Sequence, residues 1–361
     1  MTKYLIALSY LDKIGPLTIK KLLARLTPEQ IWRASFSDLK NLGLNENYCR
    51  LIVNQKQKIN PDKIIQELSV KKINYLSFFD ANYPPLLKEI YNHPLVLYYL
   101  GDLRCLQDPQ TNFLSVVGTR KITDYGKVCL NKLLTPLFNY NFTIISGLAL
   151  GTDTFAHKLA LNFKKKTIAV LGSGLDQIYP RTNESLAREI LEQQGLLLSE
   201  YPPGTPPYKQ NFPYRNRIIA GLSRGVLITE ADIKSGAMIT AKYALDQNRE
   251  AMAVPGNINN NQSKGTNYLI KNGAKAITET TDILELYSLS SPVNTSTNNI
   301  EAEKLLETVN EKTVYELIKN GCKVPDQLKI KAKLDTPELN SVLTILEVKN
   351  IIKNINGEFF I

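Results

Sequence analysis

FLSVVGTRKITDYGKVCLNKLLTPLFNYNFTIISGLALGTDTFAHKLALNFKKKTIAVLGSG, residues 113–174, alternates short apolar runs with amphipathic stretches. The runs are Phe113–Val117, Thr143–Ser146 and Thr167–Leu171. Between the first two, Leu130, Leu133, Leu134 and Leu137 fall at i, i+3, i+4 and i+7, one face of a helix. Ala156, Leu159, Ala160 and Phe163 repeat that spacing before the third run. Strand-like runs separated by amphipathic helices describe a parallel sheet covered on both faces. Pro136 lies inside the first helix, where its ring and missing N–H predict a kink or an early end.

The alternation continues outward. A helical stretch carries Leu186, Ile190 and Leu191, and further runs follow at Leu196–Ser199, Gly225–Thr229, Ala251–Val254 and Ala274–Ile277. The fold class is therefore α/β, an extended Rossmann-like parallel sheet assigned to residues 71–287. Residues 1–70 read as a small helical domain. Ile14-Gly15-Pro16-Leu17 and Leu42-Gly43-Leu44 supply its turns. A helix, a glycine turn and a basic helix fit a helix-hairpin-helix (SAM-like) unit, which offers backbone N–H groups to phosphate. The simpler reading, which we favour for function, is an ordinary helical domain whose glycines only turn the chain. Residues 288–299 carry no charge and are rich in Ser, Asn and Thr, the composition of a linker. Residues 300–361 read as a separate domain of helices ending in two apolar runs around Asn356-Gly357, a hairpin signal. That order suggests a winged helix, used for DNA contact or for protein docking.

Composition narrows the function classes. The 361 residues include 43% hydrophobic residues, enough for a sizeable core. Lys and Arg outnumber Asp and Glu by 44 to 34, a net charge of +10 that favours a polyanionic partner. Cys49, Cys105, Cys129 and Cys322 are scattered, and with only His93 and His157 they suggest no zinc site and no disulfide framework. No stretch approaches the roughly 18 apolar residues of a membrane span. No signal-peptide pattern opens the chain. The expectation is a cytoplasmic protein without metal or membrane contact.

In open parallel sheets, ligands sit beyond the carboxyl ends of the strands. The unusual residues fall there: Gly118-Thr119-Arg120-Lys121, Ser146-Gly147 with Gly151-Thr152-Asp153, Gly172-Ser173-Gly174, and Glu230 with Ser235-Gly236. Gly172-Ser173-Gly174 begins a GxGxxG pattern but ends on Gln177, and no GxxxxGK[ST] loop exists. No nucleotide cofactor is expected. Arg120-Lys121 can hold a phosphodiester. Lys209-Gln210-Asn211-Phe212-Pro213-Tyr214-Arg215-Asn216-Arg217 interleaves cations with aromatics, which suits unpaired bases stacked on rings while cations track the backbone. Phe212 and Tyr214 could instead plug the core. His157 near Asp153 lacks a convincing nucleophile and reads as a structural histidine. Glu230 and Asp232 are the remaining acid–base candidates. No catalytic residue is assigned.

The ordered blocks VVGTRKITDYG, SGLALGTDTFAHKLAL, TIAVLGSGLDQIYP, LLLSEYPPG, FPYRNRIIAGLS, TEADIKSGAMITAKYAL, AVPGN and SKGTNYLIKNGA cover most of residues 113–278. Together they resemble the DprA/Smf family, the bacterial DNA-processing proteins of natural transformation. The resemblance implies a Rossmann-like protein, not an enzyme, that binds single-stranded DNA and protects incoming strands. It also implies a homodimer that recruits the recombinase RecA and loads it onto strands coated by single-strand-binding protein. The implied DNA-binding residues are Gly118, Thr119, Arg120, Ser146, Gly147, Lys209, Phe212, Arg215, Asn216 and Arg217. Lys121 adjoins them, and Ser235 and Gly236 match a further glycine turn. Leu269 and Ile270 match the region where family dimers pack, and core burial fits both as well. The chain has GTD at 151–153 where many members have GID. Two other functions have partial sequence support. A nucleotide hydrolase of the lysine-decarboxylase-like group needs a PGGxGT loop, whereas the nearest text is Val254-Pro255-Gly256-Asn257. A duplex-binding regulator would act through residues 300–361, whose helix around Pro337–Leu346 is not strongly basic.

Overall fold

The computed structural model describes residues 2–289, 306, 308–319, 322, 324–349, 351–355 and 358–360. Residues 1–289 form one compact unit and 290–361 a second. Most of the linker segment 288–299, and Asn356-Gly357, lie outside the described residues.

The first unit opens with six helices: α1 (Thr2–Ser9), α2 (Pro16–Leu23), α3 (Pro28–Arg33), α4 (Phe36–Asn41), α5 (Glu46–Lys56) and α6 (Pro61–Val70). Their starts are written locally. Thr27 and Ser35 close capping boxes with Gln30 and Asp38, and Asn45 and Asn60 accept the first free N–H groups of their helices. Leu5, Ile6 and Leu8 of α1 share one buried cluster with Tyr98, Leu171, Leu175 and Leu186. The Ser9 hydroxyl lies 2.7 Å from the Tyr98 hydroxyl. The helical segment therefore shares its core with the sheet.

The sheet has nine strands: β1 (Asn74–Ser77), β2 (Val96–Gly101), β3 (Asn112–Val117), β4 (Phe142–Ser146), β5 (Thr167–Val170), β6 (Leu196–Ser199), β7 (Gly225–Ile228), β8 (Glu250–Ala253) and β9 (Lys275–Ala276). Their order is β1-β2-β6-β5-β4-β3-β7-β8-β9. β3 to β9 pair in parallel, as the alternating pattern predicts. The expectation of a wholly parallel sheet is corrected at one edge. β2 pairs antiparallel with β6, and β1 antiparallel with β2. No crossover helix is needed there, so the strands of residues 74–101 carry no βαβ signature.

Helices α8 (Asp124–Leu137), α9 (Thr152–Asn162), α10 (Glu184–Glu192), α11 (Asn211–Gly221), α12 (Gly236–Asp246) and α13 (Asn261–Lys271) connect the parallel strands, with α7 (Pro85–Glu89) ahead of β2 and α14 (Thr280–Leu286) after β9. α8 ends one residue beyond Pro136. The chain winds outward from β3 to β6, then returns through α11 to β7 on the other side of β3. Leu114, Ile144 and Leu227 of the central strands are fully buried, between helices on both faces. The second unit comprises α15 (Val309–Lys319), α16 (Pro325–Ala332), α17 (Thr336–Val348) and an antiparallel pair, β10 (Lys353–Ile355) and β11 (Glu358–Phe360).

Candidate nucleic-acid interface

β3, β4 and β5 end side by side, and the loops that leave them form a pocket. Arg120 comes from the loop after β3, Gly147 from the loop after β4, and Tyr179 from the loop after β5; Phe212 and Arg215 reach in from α11. The loops fit because of one close approach. Gly151 has φ +78°, and a Cβ there would lie 2.3 Å from the Thr119 carbonyl oxygen. Thr152 N–H donates to that same carbonyl at 3.1 Å, locking the two loops together. Leu148, buried and without glycine's freedom, holds φ +58° in the same turn. Such a conformation costs roughly 1–3 kcal/mol and persists only where the surroundings enforce it.

Arg215 organises the floor. Its Nη1 donates to the Gly147 carbonyl at 2.9 Å and to the Val170 carbonyl, joining the ends of β4 and β5. Only 4% of the residue is exposed. Burial pulls its pKa down to about 10, against the attraction of Asp153, so the guanidinium stays charged at neutral pH. Asp153 is buried too, and its carboxylate accepts from Gly147 N–H at 3.0 Å and Ala149 N–H at 3.3 Å. Burial pushes the Asp153 carboxyl upward while Arg215 opposes that shift.

The open side of the pocket is cationic and aromatic. Arg120 and Lys121 are exposed and hold no ion-pair partner among the described residues. The half-buried Phe212 ring leans on Gly172, where a Cβ would sit 2.9 Å from the ring. The Tyr179 ring lies 5.3 Å from it at 44°, and the Arg215 guanidinium 6.0 Å from its centroid. Phe212 is thus a wall of the pocket and not a core plug. Tyr179, 43% exposed, carries no sequence signal, since it follows the glycine turn in a loop without periodicity or charge pattern.

The other expected residues divide. Gly118 and Thr119 lie beneath Arg120, and Gly118 leaves no room for a Cβ against Thr152. The Ser146 hydroxyl is buried and donates to the Val116 carbonyl at 2.6 Å, so the side chain braces the sheet. Lys209 is exposed on the turn before α11, outside the pocket wall. Asn216 accepts from Arg215 Nε and donates to the Gly236 carbonyl, linking α11 to the start of α12, where Ser235 is the N-cap.

Arg217 is a correction. It is fully buried, bonds both oxygens of Glu200 at 2.6 Å, and lies 3.9 Å over the Tyr214 ring. These contacts occupy its guanidinium within the protein. Leu269 is 8% exposed and packs within this chain's own core, the second of its two readings, with Ile270 half-buried beside it.

The acid–base candidates are occupied. Both oxygens of Glu230 accept from Thr123, its N–H at 2.9 Å and its hydroxyl at 2.6 Å, and Asp232 accepts from Lys234 N–H. His157 is fully buried, and its Nδ1 lies 2.7 Å from the Thr167 hydroxyl. That hydroxyl already donates to Ile144, so Nδ1 carries the proton. Among the described residues no group of three His, Cys, Asp or Glu side chains could hold a metal ion. No helix among them is long and apolar enough to cross a membrane.

The strand ends thus bring one buried and one exposed arginine beside two aromatic rings, side chains whose chemistry suits a phosphate and the face of a base. A family model described as DNA recombination-mediator protein A matches residues 74–288, more than half of the chain.

This chain belongs to the DNA recombination-mediator protein A family.

Relatives agree. The protein Smf of Synechocystis is 42% identical over 284 residues, covering 78% of this chain and 71% of that one. The DNA processing protein DprA of Streptococcus pneumoniae is 44% identical over 214 residues, 59% of this chain and 74% of its own. The X-ray structure of DprA from that species superposes with a TM-score of 0.70 at 36% identity, covering 79% of this chain and 98% of that one. DNA processing protein A from Helicobacter pylori, described for its single-stranded DNA binding mode, gives a TM-score of 0.54 at 33% identity, covering 60% and 96%. The family match includes β1 and β2, the antiparallel edge.

Proposed function

We propose that this family member binds single-stranded DNA without sequence preference, in the pocket over the ends of β3, β4 and β5, and does no chemistry on it. The observation that carries the reading is the pairing of Arg120, exposed and without an ion-pair partner among the described residues, with Phe212 and Tyr179 above the buried charge of Arg215. The guanidinium groups hold a phosphodiester, and Phe212 stacks on a base, worth roughly 1–3 kcal/mol. Neither contact reads a base edge, so discrimination among sequences is small. Paired bases offer no face to Phe212, so duplex binds less well. The likeness to the Helicobacter pylori protein supports the same ligand.

The wider role follows from the family: protection of incoming strands in transformation, and recruitment and loading of RecA on strands coated by single-strand-binding protein, by a homodimer in the cytoplasm. The C-terminal unit, with three helices and a strand pair among its described residues, is read as a winged helix. Fluorescence anisotropy of labelled oligo-dT against duplex of the same length tests the binding step. Preference for the single strand, reduced in Phe212→Ala, supports it; equal or tighter duplex binding refutes it. Sedimentation at micromolar concentration tests the dimer, and RecA filament assembly on coated strands tests loading. Release of free base from a nucleoside monophosphate would establish the hydrolase instead.

A further inference from the structure

A second concavity lies on the same edge of the sheet, three strands away. It is a cleft of about 750 Å³ between the α1–α2 turn and the loop after β6, with the start of β2 at its back. That is the size of sites that enclose a small ring system. β6 runs parallel to β4 and β5, so its end at Ser199 faces the pocket side of the sheet. β2 runs the other way, with Tyr98 opposite Ser199, so Leu95 and Val96 reach that same edge. At roughly 4.8 Å per strand, the step from β4 to β2 is about 15 Å, within reach of a short stretch of extended nucleic acid.

One rigid wall connects the two concavities. The loop after β6 is tied to the loop after β5 by Gly204 N–H on Asp176 Oδ1 at 2.7 Å and Gly174 N–H on the Thr205 carbonyl at 2.9 Å. The loop after β5 carries Tyr179 into the first pocket. The loop after β6 ends in Tyr208, 52% exposed and lining the cleft, followed directly by exposed Lys209. A ring for a base thus stands next to a cation for its phosphate at the cleft.

The lining chemistry selects bases over phosphates. Tyr10, Tyr201, Tyr208 and Tyr214 line the cleft. Of its two acids, Glu200 is neutralised by Arg217 and Asp12 repels phosphate at the rim. Lys13 on the far rim is the cleft's own cation.

We propose that this cleft takes unpaired bases from the same strand whose phosphates occupy the Arg120–Arg215 pocket. The N-terminal helices then form one wall of the nucleic-acid site. This inference rests on the single-strand reading above. A proline-rich peptide also docks in tyrosine-lined grooves; the shared wall and the Tyr208–Lys209 junction favour the strand.

The test compares full-length protein with Tyr208→Ala and Gly15→Trp, on dT oligomers of about four and about fifteen nucleotides. Gly15 lines the cleft and has open space where a Cβ would stand, so Gly15→Trp fills the mouth without displacing backbone. The expected result is binding of the longer strand weakened about five- to a hundredfold in both variants, with the shorter strand unaffected. Unchanged binding of the longer strand, while Arg120→Ala weakens both lengths, overturns the inference and leaves the pocket reading intact. No binding of either strand by the unaltered protein sinks both. If a variant weakens both lengths alike, photocrosslinking of iododeoxyuridine-containing strands to the unaltered protein decides. Attachment at Tyr201 or Tyr208 supports the cleft, and attachment confined to Phe212 and Tyr179 overturns it.

Discussion

Arg217 and Glu200 form a two-pronged ion pair inside the protein, with both N–O distances 2.6 Å and the guanidinium entirely out of solvent. It holds the loop after β6 against α11, with Tyr214 stacked on its outer face. Removing one partner leaves the other charge uncompensated, the Arg217 guanidinium with no solvent and the Glu200 carboxylate with little. Arg217→Ala or Glu200→Gln should cost about 3–5 kcal/mol of stability. Urea unfolding checks this. A loss below about 1 kcal/mol, with weaker DNA binding, would return Arg217 to the ligand site.

Gly147 is wedged between Arg215 and Asp153. A Cβ there would meet Arg215 Nη2 at 2.7 Å and Asp153 Oδ2 at 2.8 Å. Gly147→Ala must displace a guanidinium that bridges two strand ends. The expected outcome is a stability loss of about 1–3 kcal/mol together with weaker binding of oligo-dT. Denaturant midpoints and anisotropy on the same samples report both; an unaltered affinity would show that Arg215's position is irrelevant to the ligand.

His157 predicts an acid-sensitive fold. Burial lowers its pKa from 6.5 to about 3, with Arg215 adding to the shift. The unfolded chain therefore binds a proton that the folded one refuses. The stability is fully present above pH 6.5 and is lost progressively as pH falls from there towards 3. Between pH 7 and pH 5 this residue alone should remove about 2 kcal/mol. The His157→Gln variant should lack that share of the pH dependence in unfolding titrations at the two pH values. Parallel curves for the two proteins would contradict the assignment.

Much of the fold is legible because central parallel strands are buried on both faces and so read as unbroken apolar runs. Leu196–Ser199 is a strand with those same ends, and Gly225–Thr229 overshoots by one residue. The edge strands β1 and β2 are not legible in the same way. Leu97 and Tyr98 are as apolar as any core strand, but their antiparallel direction is set by what they meet, not by their period. In the site, Arg120, Gly147, Phe212 and Arg215 converge as strand ends dictate. Arg215 and Arg217 look alike in an RNR triplet, yet two residues along a helix turn the side chain by about 200°. One faces the pocket and the other faces Glu200, whose place in the preceding loop no local pattern announces.

Arg120 carries the central claim most directly, since it is exposed and its loss should leave the fold intact. The decisive measurement is the affinity for oligo-dT across a salt series, for the unaltered protein and Arg120→Ala. One phosphate contact removed should lower the affinity and flatten the dependence of log K on log salt by about 0.7. An affinity and a slope both unchanged in Arg120→Ala would mean that the strand does not lie over the ends of β3, β4 and β5.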